Sequence, residues 1–279
     1  MRSLAKSILP LTLLAACTDL TPVANFAKSG AEIASGTDVF DGYVAAEANA
    51  VRLAVPPSDR PSPTDLQLRQ AAEARYAKAA GLAAGDAAGL KVLSLYLTVL
   101  GNLASGTLID VKDMAGAIGG SLGTLGVAPA ADAAPAGSLL QFLVSAPLDA
   151  WRNREVGNLI RGANPDVMVL CADLAAAARA VAEAWKADGL AAKAYYARIP
   201  GPANDIRGSV LMAALAGQEA AGFAANQQKA TALATALDKV CSGQKILYDN
   251  VDRLDLATVS AVLAGYQAEI QSASRLGFK

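Results

Sequence analysis

No histidine occurs anywhere in the 279 residues. That removes the commonest general base, the usual partner that activates a nucleophile and the usual zinc ligand. Catalysis would fall to paired carboxylates or lysine, and no motif assembles them. There is no phosphate-binding glycine loop, no metal-spaced cluster and no nucleophile elbow. The sequence therefore reads as a non-enzyme, with neither cofactor nor metal. Aromatic residues are scarce at 5%, and nothing marks those present as a sugar-binding platform. Positive charge is not in excess, since 24 Lys and Arg stand against 25 Asp and Glu. A nucleic-acid binder would show a basic footprint, so that class is excluded. Cysteine appears three times, never as a CxxC redox pair. Alternating strand patterns of useful length are absent too.

What is present is alanine. Apolar residues make up 53% of the chain, much of it this strongest of helix formers, whose small side chain lets helices approach closely. The pattern predicts an all-α protein, a bundle of long antiparallel helices. A first helix is expected over 24–54, ended by the four prolines of VPPSDRPSPT at 55–64. A second restarts near Asp65 and pauses at GLAAGD, where Asp86 reads as the N-cap of a third. Leu90, Leu93, Leu97, Leu100 and Ala104 follow at helical spacing, and a turn pattern continues from Leu108 to Leu125. Pro135 opens a segment running towards Ile160. Asn164 and Pro165 read as a cap and first turn. From there Val167, Cys171, Leu174, Ala178, Val181 and Trp185 step by four, three, four, three and four, the clearest seam in the chain. The stretch IPGPAND makes a turn, a returning helix begins near Asp205, and a last helix follows Asp255.

The first residues follow a different logic. Arg2 and Lys6 precede a short apolar run from Ile8 to Leu14, the layout of a secretory signal peptide and too short for a permanent span. Leu14-Ala15-Ala16-Cys17 resembles the lipobox of bacterial lipoproteins. The resemblance implies that residues 1–16 are removed, that the Cys17 thiol receives a diacylglyceryl group, and that the new amine is acylated, as palmitate labelling would register. One acyl chain binds a bilayer marginally, whereas two or more hold firmly. Thr18, not Asp, follows the cysteine, which by the family's sorting rule favours the outer membrane and its periplasmic face. Residues 17–23 then form a tether and 24–279 the helical bundle domain, with a subdivision near 128–135 left open. Loss of Arg2 and Lys6 leaves 22 basic against 25 acidic side chains. The alanine-rich body resembles proteobacterial envelope proteins.

Cys171 and Cys241 both fall on apolar stripes. In an oxidising compartment an even pair of thiols tends to become a disulfide. Their midpoint lies at position 206, four residues past the centre of the IPGPAND turn. That offset corresponds to about 6 Å of axial slip, small enough for a bend or an asymmetric turn to absorb.

Three further features are candidates for contact with other molecules. Residues 114–148 hold a single charge, Asp132, and could form an apolar membrane-entering hairpin or two core helices. Arg152, Arg154 and Arg161 concentrate guanidinium groups that could contact an anion or lipid phosphate, or could pair with acids on a neighbouring helix. Asp110 and Asp113 sit one turn apart without a second acidic cluster beside them, and read as surface residues. The expected function is that of a lipid-anchored periplasmic protein with a structural or adaptor role, binding an envelope protein through helix faces. The alternative is a lipid-binding or membrane-perturbing module that uses 114–148.

Overall fold

The computed structural model describes residues 19–55, 61–107, 133–145, 152–199 and 206–275. The lipobox, the expected turn pattern from Leu108 to Leu125 with Asp110 and Asp113, and the 114–132 and 146–148 parts of the apolar stretch lie outside them. The described residues form an all-α bundle: α1 Thr21–Ala34, α2 Asp38–Ala54, α3 Pro63–Ser105, α4 Ala133–Ser145, α5 Arg152–Ala197, α6 Ile206–Asp249 and α7 Ala257–Ser274.

The α5–α6 hairpin is its spine. At 1.5 Å per residue the 46 residues of α5 reach about 69 Å. The side packed inward is the seam read from the sequence, with Val167, Cys171, Leu174, Ala178, Val181 and Trp185 all buried. Two cross-hairpin pairs, Trp185 with Phe223 and Asn164 with Gln244, share a centre at position 204. The tip groove shows why this centre lies beyond the middle of the turn motif. Tyr196 and Ala197 of α5 stand across from Met212 and Ala213, so α6 begins several residues above the point where α5 ends.

The N-terminal helices wrap this spine. Leu20, at the entry to α1, is buried in the end formed by Gly157 and Val251, which we term the base. From there α1 and α2 climb the spine. A single helix over 24–54 was expected; instead the chain breaks at 35–37. Ser35 turns its hydroxyl onto the carbonyl of Glu32 at 2.7 Å, and Asp38 and Asp41 then occupy the first turn of α2, where the helix dipole favours negative charge. The descending α3 starts at Pro63, two residues before the expected Asp65, with Ser62 as its cap. Ser62 accepts from the Asp65 amide while the Asp65 carboxylate accepts from the Ser62 amide, a complete capping box. No pause occurs at GLAAGD, and Asp86 is internal to α3 rather than a cap. Gly81 and Gly85 cost the helix only about 1 kcal/mol each relative to alanine, and the alanines around them carry it through. At Gly106 the backbone turns left-handed, φ 79°, and ends the helix.

The lower half of α3 is apolar around most of its girth, with Lys91, Ser94, Thr98 and Asn102 along the remaining stripe. Leu90, Val92, Leu93, Leu95, Tyr96, Leu97, Val99 and Leu100 are all buried, as expected of a helix at the centre of a bundle. Its 18-residue window of mean hydropathy 1.4 is long enough to cross a membrane, yet 67% of that window is buried inside the protein. Tyr96 donates to Gln244 at 2.7 Å, and Gln244 donates to Asn164 at 3.4 Å, which satisfies the polar groups of this core. Asn164 therefore serves a lateral bond and caps nothing: α5 starts at 152 and carries Pro165 in its interior. The missing proline N–H removes one ladder bond, and the flanking contacts of Ala163 and Val167, both fully buried, hold the helix continuous.

The segment expected from Pro135 to Ile160 divides into α4 and the start of α5. α4 places Ala136, Leu139 and Leu143 in the core, and Ser138 donates to Asp166 at 2.7 Å. This described part of the 114–148 stretch is thus a core helix. Buried residues on both sides of 128–135 join one hydrophobic cluster. Finally α7 lies beside α1 and α6, tied by Gln271 to Ser29 at 3.3 Å and by Lys239 to Glu269 at 2.8 Å.

Candidate functional site

Cys171 and Cys241 face each other midway along the spine. Their Cα atoms are 5.9 Å apart and the structure joins them as a disulfide, a separation within the range the bond requires. Cys171 is fully buried, while Cys241 is half-buried at the edge of the core.

The arginine candidates meet the base. Arg154 and Arg161 border a recess of about 390 Å³ together with Leu20, Gly157, Asp252 and Asp255. Arg161 is ion-paired with Asp252. The recess therefore balances two guanidinium groups with two carboxylates, and is not a cationic patch. The side chain of Arg152 lies outside the described residues. What the sequence did not indicate is position: these arginines stand beside Leu20, three residues after Cys17, at the entry to α1.

At the opposite end the helices thin out. The first half of α3 buries only Ala72, Ala79 and Ala83, and the start of α6 buries little before Ala216 and Phe223. Leu66, Leu68, Tyr76, Leu190, Val210, Leu211 and Leu215 stand 37–65% exposed here, seven of the thirteen large exposed apolar side chains among the described residues. Between the end of α5 and the start of α6 runs an apolar groove of about 450 Å³, floored by Met212, Ala213 and Ala216. Tyr195 packs edge-on against Tyr196 beside it, with ring centres 5.4 Å apart.

Where this arm joins the body, α2 crosses α3, α5 and α6, and charged residues gather. Arg75 binds Glu47 at 3.0 Å, and Arg52 pairs with Glu219. Glu47 and Asp188 are buried, 6% and 3% exposed. Burial is the main force on Asp188, reinforced by Glu47 and Glu219 and opposed by Arg52 and Arg75, and its carboxyl is pushed up to about 7. Burial and the Glu47 carboxylate likewise hold the proton on Tyr43. Trp185 lies one turn below Asp188, stacked on Phe223 at 5.5 Å and seated against Gly42 of α2.

Of these junction residues only Trp185 was singled out in the sequence, as the end of the seam, yet a signal for the charged ones existed. Asp188 continues the seam of Val181 and Trp185 by three, and Glu47 lies between Tyr43 and Val51 on the inward face of α2. A charge on a face expected to be buried is the mark of such a group. Among the described residues no group of three His, Cys, Asp or Glu side chains has the arrangement of a metal site.

No protein-family model, curated protein or solved structure matches this chain.

Proposed function

We propose that the chain is a lipid-anchored periplasmic lipoprotein with a structural or adaptor role, held at the outer membrane through Cys17 and binding an envelope protein with the helix faces of its tip. The observation that carries this reading is the polarity of the exposed apolar surface. Large apolar side chains collect on the arm around Leu190, Val210 and Leu211. The residues that follow the lipobox enter at the base, Leu20 packing beside Gly157 and Val251. An anchor at the base would hold the tip about a helix length, roughly 69 Å, from the bilayer. Exposed apolar side chains gathered at one end of a folded protein mark an interaction site. The partner it suits presents an apolar helix face of its own, because Arg207 and Glu219 are the only charged residues from 206 to 222.

The test places a photo-crosslinking residue at Val210, at Leu211 and, as a control on α7, at Val262, in the full chain within intact cells. A discrete adduct from both tip positions and none from Val262 is the expected result. Absence of tip adducts, or equal adducts from all three, overturns the reading.

A further inference from the structure

Asp188 stands apart from everything assigned so far. It is buried on α5, and its Oδ2 has no hydrogen-bond partner. Every element packed around it brings charge: Glu47 and Arg52 from α2, Arg75 from α3 and Glu219 from α6. Both arginines are already engaged, Arg75 by Glu47 and Arg52 by Glu219. With Asp188 neutral, two cations meet two anions. With Asp188 ionised, a third negative charge sits in the junction and receives no donor. A neutral carboxyl in such a place forgoes a hydrogen bond, whereas an ionised one adds an uncompensated buried charge, a much larger cost.

The same residues hold α2 in place. Gly42 seats against the Trp185 indole, Glu47 reaches Arg75, and Arg52 reaches Glu219. Whatever happens at Asp188 therefore acts on the attachment of α2 to α3, α5 and α6.

We propose that Asp188 is a proton-operated latch, closing α2 onto the spine when its carboxyl is protonated and loosening that contact when the proton leaves. The burial that raises the Asp188 carboxyl to about 7 agrees with this. When α2 lifts, Asp188 meets water and its affinity for the proton returns towards the ordinary carboxylate value of 3.8. The closed form thus binds the proton more tightly, so closure is favoured at acid pH and weakens as pH rises from about 4 to about 7. Above that range both forms are ionised and the dependence levels off. The latch adds to the adaptor reading without depending on it, since it concerns α2 alone.

The experiment is amide hydrogen exchange on the full chain in detergent, comparing wild type with Asp188→Asn at each pH so that intrinsic exchange cancels. The expected result is that exchange across Asp38–Ala54 in wild type, relative to the variant, grows by roughly tenfold per pH unit between pH 5 and 7 and then stays constant. A ratio that does not change with pH overturns the latch. An Asp188→Asn chain that fails to fold overturns it as well, because a neutral isostere here is what the closed form requires. As a second measurement, the wild-type melting temperature should fall over the same pH interval; one that rises or stays level contradicts the proposal.

Discussion

Gly243 and Gly162 show how the same residue does the same work with different consequences. At each, a Cβ would fall inside the envelope of an aromatic ring, Phe26 at Gly243 and Phe142 at Gly162. Phe26 is fully buried, so its ring has nowhere to go; Phe142 is half-buried on the outer helix α4 and can swing. Alanine is worth up to about 1 kcal/mol to a helix interior relative to glycine, and overpacking a tight core costs about 1–3 kcal/mol. Gly243→Ala should therefore destabilise by about 1–2 kcal/mol net, and Gly162→Ala should be close to neutral, both read from urea unfolding midpoints. Equal shifts would mean that the two rings are equally free. At this scale the sequence was informative about which residues turn inward and silent about what meets them. Asp188 shows the gap: its place on the seam was visible, but the partners that decide its protonation come from α2, α3 and α6.

Among the elements, the long apolar seams were legible because period and burial follow one another directly. The boundaries were less so, for reasons specific to each. Asn164-Pro165 has the chemistry of a helix start, yet the bond between Asn164 and Gln244 and the packing of Val167 keep it in the interior of α5. Asp86 has the chemistry of a cap, yet α3 had already been started by Ser62 and lacked any reason to stop. Asp65 completes that start. Its hydrogen bonds to Ser62 hold its carboxyl below the usual value of 3.8, with Arg198 at 3.9 Å adding to the effect. A lowered carboxyl contributes above its unfolded value and is lost as pH falls through the folded one. Amide protection in the first turn of α3 should thus hold at neutral pH and fade below about pH 4, while Ser62→Ala should weaken it throughout. Exchange at residues 64–66 checks both.

The hairpin of α5 and α6 offers a second test among the elements. A bond closing a loop of 70 residues between Cys171 and Cys241 should stabilise the fold by about 2–4 kcal/mol. Urea unfolding with and without reductant measures that contribution, and coincident midpoints would show that the thiols are free or the bond idle. The pairing itself was within reach of the sequence because hairpin register is simple arithmetic. Of the four-residue discrepancy at the turn, two residues come from the unequal heights of α5 and α6 at the tip, where the register centres on 204, and two from the offset of the cysteines, centred on 206, from that register.

For the whole molecule, the all-helical class follows from alanine content and periodicity, whereas the single core, the base and the tip do not. Which end is thin depends on how far α3, α5 and α6 outrun α1, α4 and α7, and lengths of that kind emerge only on packing. If the base faces a bilayer through Cys17, then Cys17→Ser should abolish palmitate incorporation and move the chain out of the membrane fraction. Its helical content and melting temperature should be unchanged, since Cys17 precedes every buried residue described. Label and sedimentation identical to wild type would show that no lipid is attached there. The cross-link between the two spine helices has a practical corollary for anyone handling the molecule. Cys171 lies some 26 residues below the end of α5, so a protease could sever the exposed crest completely and the two fragments would still migrate together until a thiol reagent released them.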